Sequence, residues 1–362
     1  MKFTITITDI TTWGGVERIT LLLAKALIEK GHTVSILSLF KKHQSLKFDA
    51  GSVKIDYVIN SGYTLNSKAN NRIIAFKSVV YAYKEIIKHI DKSTNTIYIA
   101  QCFLPAFILW MRGKAKQTIV CEHFKYEIYN PIVCFLRDKI YKRFLQIITL
   151  TKEDCDKYKR RLTNVRVIPN ISPFSTIKKA NLMSKRIISV GRLTHQKGYD
   201  YLLESIKLMK DNLDGWTFHV YGDGELREQL EKHAKQLRID NVITFEGFSD
   251  NIEKEMLSSS IYVLSSRFEG LPLVLLEAMS CGLPIVSFDC PEGPKSLIGN
   301  GAGILVKPES PQDLANALQK LINSYSLRET LSLRSHERSK KYSKASVIAL
   351  WDNLFHDLLI NS

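Results

Sequence analysis

The sequence predicts an α/β protein built as two successive parallel-sheet units, each a series of strands covered by helices on both faces. Three observations carry this expectation. Short apolar runs alternate with longer helical patterns, which is the mark of βαβ units. The alternation is punctuated by Pro169, Pro173 and a polar, basic linker over 175–185, and then restarts. At 362 residues the chain is also too long for one ordinary core, and such a length corresponds to roughly two domains.

In the first series a strand over Phe3–Thr8 precedes a helix over Val16–Lys30, and a strand over Val34–Leu39 follows. Ile97–Ala100 leads into a helix over Pro105–Arg112, and further strands are expected at Thr118–Cys121, Ile147–Leu150 and Val165–Ile168. The second series runs through strand Ile187–Val190, helix Asp200–Lys210, strand Thr217–Tyr221, helix Glu225–Leu237 and strand Val242–Phe245. Strand Ile261–Leu264, helix Pro272–Ser280 and strand Pro284–Phe288 complete it. These are two Rossmann-like domains, 1–172 and 180–341, and two domains imply a cleft. The segment 342–362 is amphipathic, with Trp351, Leu354 and Leu358 at helical spacing, and is expected to return to the first domain.

Composition excludes several classes. With 45% hydrophobic and 24% charged residues the chain is a globular protein rather than a disordered or fibrous one. Its six cysteines form no Cys-x-x-Cys pair and no Cys/His cluster at metal-ligand spacing, so they read as reduced core thiols and no metal is expected. The opening Met-Lys-Phe-Thr-Ile-Thr-Ile-Thr alternates like a strand, unlike a secretory signal. The most apolar run, Cys102–Met111, is interrupted by Pro105 and is about half the ~20 residues that span a bilayer. A cytoplasmic location is therefore expected.

The net charge is +15, and all of the excess lies in the first half: residues 1–172 hold 28 Lys and Arg against 13 Asp and Glu, the remainder 23 against 23. Between Phe135 and Arg161 basic residues interleave with aromatics: Arg137, Lys139, Tyr141, Lys142, Arg143, Phe144, Lys157, Tyr158, Lys159, Arg160 and Arg161. Such a pattern suits an anionic membrane surface or another polyanion, while a solvated helix face would hold the same residues singly. The expected partner is the inner face of the cell membrane, with the protein peripheral to it; no nucleic-acid motif is present.

Three segments carry candidate chemistry. After the first strand, Gly14-Gly15-Val16-Glu17-Arg18 opens a helix, where backbone N–H groups can meet an anion or a sugar. A plain tight turn would use the same glycines, the dinucleotide fingerprint is absent, and Glu17 would repel a phosphate. At the matching turn of the second domain, Arg192 and Lys197 leave the carboxyl end of a strand and can together neutralise a diphosphate. The third segment is Ser265-Ser266-Arg267-Phe268-Glu269-Gly270-Leu271-Pro272, followed by a helix containing Glu277. Pro272 suits the first helical position, the N–H groups of Gly270 and Leu271 offer an anion site, and Glu269 and Glu277 offer acceptors for hydroxyls. Against this, Glu269 read alone is a helix-dipole partner and Glu277 a solvated helix residue.

Glu269 and Glu277, seven residues apart within Glu-Gly-Leu-Pro-Leu…Glu-Ala-Met…Gly-Leu-Pro-Ile-Val, resemble the signature of the retaining glycosyltransferase family 4. The resemblance extends to Gly-Gly-Val-Glu-Arg at 14–18, Pro-Asn at 169–170, Gly-Arg-Leu-Thr…Gln-Lys-Gly at 191–198, Tyr-Gly-Asp-Gly at 221–224 and Gly-Pro at 293–294, nearly the whole chain. It implies two Rossmann-like domains facing each other across a cleft, the B-type glycosyltransferase (GT-B) fold. It also implies retaining, metal-independent transfer of a hexose or N-acetylhexosamine from a nucleotide-diphosphate sugar, first of all a UDP-sugar.

By the same resemblance Gly15 faces the donor sugar or phosphate, Arg192 and Lys197 the diphosphate, Glu269 the sugar hydroxyls, Gly270 and Leu271 the phosphates, Glu277 the ribose, and Gly247 and Phe248 the base. His123 in Cys-Glu-His matches a histidine that some members place near the reacting sugar; a structural loop histidine would fit equally. One departure stands out: relatives carry an acid after Gly293-Pro294, and here Lys295-Ser296-Leu297 follows. A glycan or lipid-linked acceptor of surface polysaccharide assembly suits the basic first domain. Two other readings remain open at this point. One is a nucleotide-sugar epimerase of related fold, which would convert donor without acceptor; the other is a non-catalytic polyanion-binding module, which leaves Glu269, Glu277 and the Arg192/Lys197 turn unexplained.

Overall fold

A computed structural model describes residues 1–59, 90, 95–174, 178–291, 293–299 and 301–360, so that 175–177 of the expected linker lie outside the described residues. The chain divides into two compact units, Met1–Ile171 with Ile348–Ser362, and Ser172–Val347. In the first, the described elements run β1 (Lys2–Asp9), α1 (Gly15–Glu29), β2 (Thr33–Phe40), β3 (Lys54–Ile59), β4 (Thr96–Gln101), α2 (Phe103–Met111), β5 (Thr118–Glu122), α3 (Pro131–Tyr141), β6 (Gln146–Thr149), α4 (Lys152–Lys159) and β7 (Val165–Val167). All strand pairs are parallel, in the order β3-β2-β1-β4-β5-β6-β7. β5 and β6 are buried along their whole length, as strands covered on both faces must be.

The second unit runs β8 (Arg186–Val190), α5 (Tyr199–Met209), β9 (Thr217–Tyr221), α6 (Arg227–Gln236), β10 (Ile243–Gly247), α7 (Ile252–Leu257), β11 (Ile261–Leu264), α8 (Leu273–Ser280), β12 (Ile285–Phe288), α9 (Pro294–Ile298), β13 (Ile304–Val306), α10 (Pro311–Asn323) and α11 (Tyr325–Ser339). Its sheet is again parallel, ordered β10-β9-β8-β11-β12-β13. α10 shows local sequence making a helix: Ser310 accepts from the Asp313 N–H, Pro311 takes the first turn, and Leu314, Ala317, Leu318 and Leu321 form the buried stripe. The final helix α12 (Lys344–Ile360) buries Trp351, Leu354 and Phe355. The Phe355 ring lies 4.7 Å from that of Phe3, and Asp352 and Asp357 pair with Lys30 and Arg166 of the first unit at 2.9 and 2.7 Å.

Several expectations need correction. β3, α3, α4, α7, α9, β13, α10 and α11 have no counterpart in the sequence reading. Pro272 is not the first helical residue but the cap before it: its backbone is extended at φ −70° and ψ 109°, and its carbonyl receives the Leu275 N–H. Residues 180–185 are not free linker, since Ala180 and Asn181 donate to the carbonyls of Cys281 and Leu257. Within the basic and aromatic set of residues 135–161, Arg137, Tyr141, Phe144 and Tyr158 are interior. Arg137 stacks between the rings of Tyr126 and Tyr158 at 4.6 and 4.7 Å and pairs with Asp138 at 3.2 Å, which offsets the cost of burying its charge. Among the described residues no helix is long and apolar enough to cross a membrane.

Candidate active site

In the second unit β8 and β11 lie side by side, yet the chain leaving β8 crosses to β9 on one side and the chain leaving β11 crosses to β12 on the other. Their carboxyl ends form a topological switch point, where open α/β sheets leave a crevice for ligands. The loops 191–198 and 265–272 start from these two ends. Gly198 allows them to meet: it takes φ +61° and ψ 33°, and a Cβ there would stand 2.2 Å from the Ser265 carbonyl oxygen. Backbone and side chains then tie the loops, with Ser265 Oγ donating to the Lys197 carbonyl at 3.0 Å and the Arg267 N–H to the Gln196 carbonyl at 2.8 Å. Arg267 also grips Asp200 of α5 through two bonds of 2.9 and 2.5 Å.

This scaffold brings Lys197 onto Glu269, Nζ to Oε1 at 2.6 Å, with both side chains mostly buried. Ser266 Oγ donates to the same oxygen at 2.7 Å. Among the described residues both bonds fall on Oε1, so Oε2 is the lone-pair-bearing oxygen left for a ligand hydroxyl. An ammonium has three donors, and one is spent on Glu269. Glu277 lies in the second turn of α8 and is 2% exposed, which rules out a solvated helix carboxylate. Arg192 stands exposed on the same loop as Lys197.

Gly270 and Leu271 form the bend before α8, pressed by a second close approach. A Cβ on Gly293, whose φ is +65°, would lie 1.8 Å from the Gly270 carbonyl oxygen. In the departure that follows, Leu297 is wholly buried, Ser296 Oγ caps the Gly293 carbonyl at 2.8 Å, and Lys295 is exposed. Gly247 ends β10, two strands from β8 and so roughly 10 Å across the sheet, and Phe248 beside it is exposed.

The first unit has its own switch point, between β1 and β4. After β1, Thr12 Oγ1 donates to Glu17 Oε1 at 2.6 Å, and the carboxylate folds back over the start of α1 so closely that a Cβ on Gly14 would meet Oε2 at 2.2 Å. The chain's own carboxylate thus fills the positive end of the helix dipole beside Gly15. At the ends of β4 and β5, His123 Nε2 meets Gln101 Oε1 at 2.5 Å. The two side chains share one hydrogen bond, and the imidazole tautomer sets which of them donates. Cys102 next to Gln101 takes φ +71° and ψ 178°, a region that costs a non-glycine residue about 1–3 kcal/mol.

Burial holds the His123 imidazole down to about 4. Its neighbour Glu122 is displaced the other way: burial pushes its carboxyl up to about 7, against a hydrogen bond from Tyr141 that pulls it down. Between 4.5 and about 7 the unfolded chain releases the Glu122 proton while the folded chain keeps it. Its support for the fold is therefore complete below 4.5 and lost as pH rises through about 7. His123 supports the fold fully above 6.5 and loses that support as pH falls through about 4. Glu122→Gln is expected to gain stability over wild type between pH 5 and pH 8, by an amount on the order of 2–3 kcal/mol. Urea midpoints at the two pH values measure this, and an identical pH dependence in both proteins would mean that Glu122 ionises as freely folded as unfolded.

The structure thus collects Arg192, Lys197, Gly247, Phe248, Glu269, Gly270, Leu271 and Glu277 along the carboxyl side of one sheet, and Gly15 and His123 along that of the other. Sequence reasoning missed Gln101, and it missed the Arg267–Asp200 clamp, whose partners stand 67 residues apart with no local pattern to join them. Ser266 lay inside the third candidate segment without a role.

Two family models match the chain: Glycosyltransferase Family 4 over residues 13–171 and Glycosyl transferases group 1 over 172–338. The amylovoran biosynthesis glycosyltransferase AmsD of Erwinia amylovora is 26% identical, covering 98% of this chain and 99% of its own. A Campylobacter jejuni enzyme named GalNAc-alpha-(1->4)-GalNAc-alpha-(1->3)-diNAcBac-PP-undecaprenol alpha-1,4-N-acetyl-D-galactosaminyltransferase is 28% identical, covering 95% and 96%. Among solved structures, Anabaena HepE in complex with UDP and glucose superposes with a TM-score of 0.76 at 17% identity, covering 98% of this chain and 99% of that one.

Proposed function

The chain belongs to the GT-B glycosyltransferases of the family 4 and group 1 type, and from that premise we propose that it moves a hexose or N-acetylhexosamine from a UDP-sugar to a lipid-linked glycan, with retention of configuration. The buried Lys197–Glu269 pair at the switch point, with Glu277 buried in the following helix, carries this reading. The acceptor hydroxyl attacks the anomeric carbon from the face that the diphosphate leaves. The bond to the phosphate oxygen breaks, its electron pair departs with the diphosphate, and the hydroxyl proton passes to that oxygen. Arg192, the two remaining donors of Lys197 and the N–H groups of Gly270 and Leu271 meet the growing charge, so the step proceeds without a metal ion.

Glu269 Oε2 takes a sugar hydroxyl and Glu277 the ribose, while Gly247 and Phe248 border the base. His123 and Gly15 serve the sugar, His123 as a neutral imidazole. The relatives of Erwinia and Campylobacter, one of amylovoran biosynthesis and one acting on a PP-undecaprenol-linked glycan by their names, support the acceptor class, and such an acceptor suits a place at the inner membrane surface. The complex of HepE with UDP supports the nucleotide.

Thermal unfolding with UDP and with GDP, each without and with EDTA, tests the donor. UDP at a hundredfold its Kd is expected to add about 2.7 kcal/mol by mass action, GDP less, and EDTA no change to either. Greater stabilisation by GDP would reassign the base. Stabilisation by neither nucleotide would remove the donor site, and a shift abolished by EDTA would remove metal independence.

A further inference from the structure

The helix α3 is built inside out. Its inward face carries Cys134, Arg137, Asp138 and Tyr141, all buried, and the charged pair of that face is bound by Tyr126 and Tyr158. Its outward face carries Ile132, Phe135 and Leu136, which are 73%, 50% and 51% exposed. These stand at i, i+3 and i+4, one stripe of the helix surface. The stripe continues through Lys139, Lys142 and Arg143, all exposed. Just upstream, Phe124 and Ile128 are 46% and 43% exposed. A helix that meets water should turn its charges outward and its apolar residues inward. Here five large apolar side chains within 13 residues are solvent-facing on a unit with a strong cationic excess, a grouping that scattered surface apolar residues do not produce.

We propose that α3, with the turn carrying Phe124 and Ile128, docks the protein on an anionic lipid bilayer, Ile132, Phe135 and Leu136 entering the interface while Lys139, Lys142 and Arg143 meet the headgroups. An apolar ridge ending in three cations complements a surface that is apolar below and negative above, which is the chemistry of interfacial helices. The Lys139 ammonium lies 4.5 Å from the centre of the Phe135 ring, so the cationic and apolar parts form one continuous surface. The ridge begins at Phe124, the residue after His123. The inference rests on the proposed lipid-linked acceptor only for its purpose; docking itself requires neither donor nor acceptor.

The test is sedimentation of the whole protein with vesicles of phosphatidylcholine alone or with 30 mol% phosphatidylglycerol. Wild type is expected to bind the anionic vesicles at least tenfold more strongly, and more weakly as salt is raised. F135S/L136S is expected to lose at least tenfold of that binding with an unchanged melting temperature, because both side chains are already exposed. K139Q/K142Q/R143Q is expected to weaken binding and flatten its salt dependence. Equal binding by wild type and F135S/L136S would overturn the proposal, as would equal binding to both vesicle types. So would a concentration-dependent dimer in vesicle-free solution that F135S/L136S dissolves, since a second copy of the chain would then cover the ridge. UDP stabilisation, measured separately, reports on the donor reading and is independent of all these outcomes.

Discussion

Lys197→Ala is expected to lower turnover by about 10²–10³-fold, the usual loss when one donor to a developing oxyanion is removed. Lys197 is held at 2.6 Å from Glu269 before any donor arrives, so its position requires no reorganisation during the reaction. The substitution has a second, separable cost. It leaves Glu269, buried, with the Ser266 hydroxyl as its remaining partner, and a buried acceptor stripped of a charged donor costs about 1–3 kcal/mol. Lys197→Met combined with Glu269→Gln removes that penalty, so its melting should return toward wild type while turnover stays low. UDP release from a UDP-sugar and thermal unfolding, measured on both variants, separate the effects. Near-normal UDP release by a folded Lys197→Ala protein would exclude the diphosphate role.

Gly198→Ala is expected to cost about 2–3 kcal/mol of stability and to reduce turnover by about a hundredfold. The alanine would have to hold φ near +61° while its Cβ pressed on the Ser265 carbonyl, which must retreat from 2.2 Å. Retreat of Ser265 carries the 265–271 loop away from 191–198 and opens the Lys197–Glu269 pair. Gly198→Asn tells the two causes apart, because asparagine accepts a left-handed backbone but brings the same Cβ. If Gly198→Asn is as damaged as Gly198→Ala, the close approach is responsible; if it is nearly normal, the backbone angle is. A Gly198→Ala protein with unaltered melting and turnover would show that the loops do not depend on this contact.

Much of the fold was legible along the chain. Ile261–Leu264 is an unbroken apolar run, and Ile285–Phe288 is apolar but for Ser287, because helices cover both faces of the sheet, and the two series of alternating elements announce two parallel sheets. β3 escaped notice because Lys-Ile-Asp-Tyr-Val-Ile begins as a half-buried edge with two charges in its first three positions. α3 escaped for the opposite reason. Its interior residues are Arg137, Asp138 and Tyr141, so the rule that apolar residues mark the buried face pointed the wrong way. The same inversion made Arg137 read as a surface cation, when it is wholly buried among tyrosines.

The sequence by itself determined the order of elements, the two-sheet architecture, the glycine-marked turns and the signature pair Glu269 and Glu277, because each of these depends on neighbours within a few residues. Only the tertiary structure decided which residues of the site touch. Lys197 reaches Glu269, and Arg267 reaches Asp200, across 72 and 67 residues, and both contacts exist because β8 pairs with β11 rather than with β10. Strand order within a sheet comes from how its βαβ segments pack together, and no local periodicity encodes it. The outward turn of Phe135 and Leu136 has the same origin: a buried ion pair and two tyrosine rings on the far side of the helix outweigh the hydrophobic preference of the helix itself.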